Sequence, residues 1–297
     1  MLKPLYIWAG GKTKMLPKYV NNPGIPLSGY KTYVEPFFGG GAMMCWINEH
    51  NPDITRYVIN DVKPELIGIY KAIKSDCSAF IQRVDHLESA YLSLEGKENR
   101  KAFYYDIREE YTVGYEGWDP TFEAATLYFM MKTCFNGIWQ TTKKSKGRMA
   151  TPFGLGTQKL TIYDRSLVKV WNLFLQQCDI HCGDWKTCAN AYLDNESFFF
   201  MDPPYRGSFT SYGEEFPDEN QIELLDFCQT ADEKGNLVFL CNRDTGDDFW
   251  ESQVGDLAIE YYDVTYTAGR RKKLSDGTHE AKKAQEVLLY SAEMDNK

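Results

Sequence analysis

Phe198-Phe199-Phe200-Met201-Asp202-Pro203-Pro204-Tyr205 decides the fold. Four apolar residues in a row predict a strand buried on both faces, as in a parallel sheet. Two prolines then end it, because proline cannot donate to the ladder. Asp202 and Tyr205 are therefore expected on a stiff turn at the carboxyl end of a buried strand, the edge where open α/β sheets bind ligands. A carboxylate, carbonyls and an aromatic face meet there. Such a set can accept hydrogen bonds from an exocyclic amine and stack on its ring. An ordinary strand-to-loop turn with a surface Asp fits the same residues.

Upstream, residues 33–36 read as a short strand. Phe37-Phe38-Gly39-Gly40-Gly41-Ala42 follows, then a helical run over 43–48. Strand, glycine loop and helix open a nucleotide-binding unit. The dinucleotide fingerprint is incomplete, since Met44 stands where its third glycine belongs, which counts against a pyrophosphate ligand and a nicotinamide enzyme. A second strand over 56–60 ends at Asp61, an acid placed to bind ribose hydroxyls or to cap the helix expected over 64–73. Together these features suggest an adenosine-type ligand without pyrophosphate. At the N-terminus, Trp8-Ala9-Gly10-Gly11-Lys12-Thr13 is not a phosphate loop, because Tyr6 occupies its first glycine position. An aromatic, a glycine pair and a cation remain, for a pocket wall or a surface turn.

Residues 75–128 change character: helical by pattern, acidic and rich in tyrosine. Two short runs then flank Lys143-Lys144-Ser145-Lys146-Gly147, a hairpin with a basic tip. A basic ribbon can enter a major groove, or protect a sheet edge from aggregation. Sheet patterning resumes after 156. A helix is expected over 166–177, a strand over 179–182 followed by Asp184, and a helix over 219–232. Further strands are expected over 236–241, 262–267 and 286–291.

The 297 residues carry a formal net charge of −9, which at first argues against nucleic acid. The charge is unevenly spread. Residues 214–233 hold eight acids and no base, whereas 141–150 hold four bases and no acid. Screening acts over ~8 Å at physiological salt, so a local basic surface can bind phosphate despite a distant acidic one. Eight cysteines without a Cys-x-x-Cys pair fit a reduced, cytoplasmic protein with buried thiols. The spacing of Cys178, His181, Cys182 and Cys188 fits no familiar zinc pattern, and no metal is expected. No apolar run approaches the ~20 residues of a membrane span, so no membrane is expected either.

Several of these stretches occur in one family. Trp8-Ala9-Gly10-Gly11-Lys12, Glu35-Pro36-Phe37-Phe38-Gly39-Gly40-Gly41, Asn60-Asp61, Phe153-Gly154 and Asp202-Pro203-Pro204-Tyr205 resemble, in order, the Dam-type DNA adenine-N6 methyltransferases. The resemblance implies an α/β, Rossmann-like S-adenosylmethionine-dependent methyltransferase fold. Residues 1–74 and 155–297 would form the catalytic domain, and 75–154 an inserted helical and β-hairpin recognition region. It implies S-adenosylmethionine as cofactor, with Trp8, Lys12, Phe38, Gly39, Gly41, Asp61, Asp184 and Asp202 around it. Asp202, Pro203, Pro204 and Tyr205 would be catalytic. The implied partner is double-stranded DNA, in a bacterial or phage-encoded setting. Asn136, Ile138 and Gln140 are candidates for base contact. Lys143, Lys144, Lys146, Arg148, Arg270 and Arg271 are candidates for phosphate. Relatives that methylate GATC typically carry Lys before the Trp and Arg four residues after the Asn, where this chain has Ile7 and Gln140. The chemistry thus carries over more firmly than the GATC target. Cytosine-N4 methylation by the same geometry and an inactive DNA-binding relative are the alternatives.

Overall fold

The computed structural model describes residues 1–26, 28–113, 117–154, 161–194, 196–207, 216–266, 272–273, 279–280 and 282–292. After a short helix α1 (Leu16–Asn21), strands and helices alternate: β1 (Thr32–Glu35), α2 (Ala42–His50), β2 (Arg56–Ile59) and α3 (Pro64–Ser75). Three helices interrupt the alternation, α4 (Cys77–Ser93), α5 (Lys97–Val113) and α6 (Pro120–Thr133). Then come α7 (Arg165–Leu175), β3 (Cys178–Ile180), α8 (Trp185–Asn190), β4 (Ser197–Met201), α9 (Asp218–Glu233) and β5 (Leu237–Asp244). The chain continues through α10 (Phe249–Gln253), β6 (Ala258–Tyr266), the small pair β7 (Lys272–Lys273) and β8 (His279–Glu280), and β9 (Lys282–Tyr290). The main sheet has the order β3-β2-β1-β4-β5-β9-β6. Its first five strands are parallel, and β9 runs antiparallel to both β5 and β6.

The apolar run of β4 needs two cores, and it has them. Phe198 and Phe200 face a layer containing Tyr70, Trp171 and Phe174. Phe199 and Met201 face the other layer, with Trp185, Leu224, Cys228 and Trp250. All five residues of β4 are buried. At ~1.5–3 kcal/mol for each large side chain removed from water, the two-sided burial makes β4 the anchor of the sheet.

The helical segment expected after residue 75 is present. Its buried residues, among them Phe80, Val84, Tyr91, Tyr104 and Phe129, belong to the same core as Tyr70 and Trp171. Local signals start these helices: Asp76 caps α4 by accepting from Ala79 N at 3.0 Å, and Asp119 caps α6 at Thr121 N and Phe122 N. The thiols are not uniformly buried as expected, because Cys182 is exposed and Cys77 half-buried. Among the described residues no helix is long and apolar enough to cross a membrane.

Candidate active site

The chain leaves β1 toward β2 on one side of the sheet and leaves β4 toward β5 on the other. Where order reverses, the loops diverge and a crevice opens beyond the carboxyl ends of the strands. A cavity of about 780 Å³ lies there. It is lined by residues 8–12, 35–43, 61–63, 183–186 and 202–205, with Gly207, Phe216, Asn220, Arg243 and Glu286. The glycine loop and the Asp202–Tyr205 turn thus share one space.

The glycine loop owes its shape to close approach. Gly39 and Gly41 have φ of +48° and +64°, in the left-handed region. A Cβ on Gly39 would sit 2.6 Å from Trp8 Nε1, and one on Gly41 would sit 2.4 Å from the Phe38 ring. Tyr6 donates its hydroxyl to Gly39 O at 3.1 Å. Asp61 accepts from Gly39 N at 3.0 Å and from Lys63 N at 2.9 Å. The capping role considered for Asp61 is therefore corrected: Lys63 is the N-cap residue of α3, and Asp61 holds the glycine loop instead. Asn60 is buried and donates to Pro36 O at 2.9 Å and Gly183 O at 3.0 Å, tying three loop starts together. Asp184 caps α8 by accepting from Lys186 N at 3.3 Å and lines the cavity.

The Pro-Pro turn is fixed from behind. Gln221 donates to Pro204 O at 3.0 Å, Asn242 donates to Gln221, and Arg206 N donates to Asn242 at 2.9 Å. The buried Pro203 carbonyl accepts no hydrogen bond from the described residues. In front, the Lys12 ammonium donates to Asp202 at 2.6 Å and to Gly10 O at 3.1 Å. It also stands 4.9 Å from the centre of the Tyr205 ring. Tyr205 donates its hydroxyl to Glu286 at 3.2 Å. Burial pushes the Asp202 carboxyl above the usual carboxylate range, against the opposing pull of Lys12. Burial would lower Lys12, but Asp202 and the neighbouring Glu286 outweigh it, and its pKa is raised. Burial lifts Glu35 well above its ordinary value, opposed by the hydroxyl that Tyr33 donates at 2.8 Å. Glu35 and Glu286 were not singled out from sequence. Glu35 precedes the glycine loop and offered a positional signal; Glu286, in an ordinary strand pattern, offered none.

A sequence profile described as D12 class N6 adenine-specific DNA methyltransferase matches residues 8–268. The chain belongs to that family. Among similar curated proteins, the type II methyltransferase M.MjaIII of Methanocaldococcus jannaschii is 34% identical over 249 residues, covering 81% of this chain and 84% of its own. The type II methyltransferase M1.LlaDCHI of Lactococcus lactis subsp. cremoris is 30% identical over 281 residues, covering 91% and 90%. A DNA adenine methylase of Vibrio cholerae is 30% identical over 246 residues, covering 80% of each chain. The adenine-specific DNA methyltransferase chemistry expected from the sequence is thus the family's own.

In this D12 methyltransferase the segment after α6 turns back as an irregular hairpin rather than as two regular strands. Cys134 bridges Phe153 in antiparallel fashion, and Ala150 N donates to Gln140 O at 2.7 Å. Gln140 N instead uses the Thr151 side chain, at 3.1 Å, which breaks the ladder. Thr142 and Ser145 close the tip with reciprocal hydrogen bonds. Asn136, Gln140, Lys143, Lys144 and Lys146 are exposed, and Ile138 is half-buried. The hairpin base abuts the N-terminal wall of the cavity, since a Cβ on Gly137 would lie 2.1 Å from Ile7 O. Arg270 and Arg271 lie outside the described residues.

Arg148 departs from the phosphate-facing role expected of it. Its guanidinium turns inward, 2.6 Å from Glu123 and 4.1 Å from the centre of the Tyr111 ring. The side chain is only 10% exposed, and an apolar, aromatic wall with one carboxylate competes well for a guanidinium. Arg148→Ala is accordingly expected to cost about 2 kcal/mol of stability, the scale of a charge-assisted bond lost from a partly buried site. The salt dependence of DNA binding should not change. Denaturant melts and binding titrations on the same variant check both halves.

Proposed function

We infer that the protein transfers a methyl group from S-adenosylmethionine to N6 of an adenine extruded from double-stranded DNA. One observation carries this reading: the loop suited to an adenosine-type ligand and the turn suited to an exocyclic amine line a single cavity. The donor set fits the cofactor. Asp61 holds the glycine loop through two backbone N–H groups and lines the cavity with a carboxylate suited to ribose hydroxyls. Trp8, Phe38, Gly39 and Gly41 form a wall beside it, Asp184 lines the same cavity next to the Asp61 loop, and Lys12 and Asp202 complete the charged end. When bound, S-adenosylmethionine supplies an electrophilic methyl group on a positively charged sulfur.

The chain's own residues handle the base. Tyr205 presents a ring for stacking, worth ~1–3 kcal/mol, which offsets an extrusion cost of a few kcal/mol. Asp202 and the Pro203 carbonyl accept from the two N6 hydrogens, drawing the nitrogen lone pair out of conjugation with the ring. On accepting the methyl group N6 would have to shed one proton, and Asp202 would be the acceptor in contact with it. Positioning and charge complementarity supply the acceleration. Asn136, Ile138 and Gln140 face the duplex, with Lys143, Lys144 and Lys146 on its phosphates.

The test is mass spectrometry of nucleosides from plasmid DNA incubated with the protein and S-adenosylmethionine. N6-methyladenine is expected; N4-methylcytosine, or no methylated base, overturns the reading. The pH profile adds a second check. Asp202 acts as the carboxylate, and its pKa is raised, so kcat/KM should fall on the acid side at a pH above the usual carboxylate range. Lys12→Met removes the charge that opposes this rise and should move the acid limb to still higher pH. A limb at the ordinary carboxylate position in both proteins would remove Asp202 from the step.

A further inference from the structure

Among the cations of the cavity wall without a part in the chemistry above is Arg243. Arg243 stands at the carboxyl end of β5, the strand paired with β4, and lines the cavity with Tyr205 and Glu286. Its backbone is held on both sides: its N–H donates to Asn242 Oδ1 at 2.9 Å and its carbonyl accepts from Trp250 Nε1 at 3.0 Å. Its guanidinium is not held by any described residue. The side chain is half-buried, Nε is enclosed without a hydrogen-bond partner, and no carboxylate among the described residues pairs with it. Glu286 lies directly across on β9 and accepts from Tyr205, yet forms no ion pair with Arg243.

The neighbouring cations are treated differently. Lys12 is bound by Asp202, Lys186 by Glu223, and Arg206 by both Asp218 and Asp247. A half-buried guanidinium with no carboxylate partner among the described residues keeps donors for an anion, and its planar fork suits carboxylate or phosphate. Two anions fit the proposed function, the amino-acid carboxylate of the cofactor and a DNA phosphate. Position favours the second. The glycine loop and Asp61 follow β1 and β2, on one side of β4, whereas Arg243 stands at the end of β5, on the other. Asp202 and Tyr205 lie between them, so Arg243 stands on the flank away from the glycine loop.

We propose that Arg243 binds a backbone phosphate of the extruded nucleotide and so anchors the base against Tyr205. This rests on the function proposed above. The test compares the full-length wild type with Arg243→Ala and Arg243→Lys. Turnover is measured on unmethylated plasmid DNA, binding by fluorescence anisotropy on a labelled duplex cut from it, and cofactor affinity by calorimetry with S-adenosylmethionine alone. Arg243→Ala is expected to raise KM for DNA about tenfold and to make the log–log salt slope shallower by about 0.9, the value of one phosphate contact. Cofactor affinity should stay at the wild-type value. Arg243→Lys should restore the slope, since it keeps the charge without the fork. A wild-type slope in Arg243→Ala overturns the proposal, as does an unchanged slope with weakened cofactor binding, which would give the guanidinium to the cofactor's carboxylate. A merely structural arginine would lower the melting temperature without moving the slope. A wild type that binds duplex but makes no methylated base defeats the proposed chemistry, while the slope still decides the role of Arg243.

Discussion

Asp202→Ala is expected to lower kcat by about 10²- to 10³-fold or more, the scale of deleting one group that stabilises charge developing in an enclosed site. On the proposed function Asp202 is a close partner for an entering amine, and the stiff Pro-Pro turn leaves no neighbour able to replace it. Turnover within tenfold of wild type would exclude the role assigned to this carboxylate. Removal also strands Lys12, whose side chain is 6% exposed and whose ammonium loses its 2.6 Å partner. A buried charge left alone is destabilising. Asp202→Asn is therefore the cleaner variant. It keeps the shape and one acceptor oxygen, but places an N–H2 group where the target amine must donate. Its kcat should fall nearly as far, with a smaller loss in melting temperature. If Asp202→Asn kept near-wild-type kcat while Asp202→Ala lost it, the charge would be dispensable and only the hydrogen bond would matter.

Replacing Lys143, Lys144 and Lys146 together by Ala should make the largest change in DNA affinity. All three are exposed at the hairpin tip. Each phosphate contact adds about 0.9 to the log–log salt slope, and three together amount to about 10²-fold in affinity near physiological salt. The loss should shrink as salt rises, because the released counterions no longer drive binding. Cofactor affinity should hold, since the tip is not part of the cavity wall. Equilibrium binding over a salt series reads this directly. A parallel downward shift with the wild-type slope would mean that the hairpin has changed shape rather than lost phosphate contacts.

The parts of the fold legible from sequence are those where one segment carries its own physics. Phe198 to Met201 had to be covered on both faces, and a proline pair had to end the strand. The glycines after β1 had to bend the chain close to something, although the sequence could not say that the something is Trp8 and the Phe38 ring. Harder to read were residues whose role depends on partners far along the chain. Asp61 has the chemistry of a helix cap, but the Gly39 N–H is 22 residues away and claims one of its oxygens. Arg148 sits in a basic run and reads as solvent-facing until Glu123 and Tyr111 are placed beneath it. Glu286 and Arg243 lie in plain strand patterns, where only the register of β5 with β9 brings them to the cavity.

That register has a consequence for how the enzyme comes into being. Tyr205 and its hydroxyl partner Glu286 are 81 residues apart, so at ~5–20 residues per second a translating ribosome separates them by roughly 4 to 16 s. Through that interval β9, the strand that completes the β5 ladder, has yet to be made, and the crevice lacks one side. The complete crevice therefore exists only after β9 has been made.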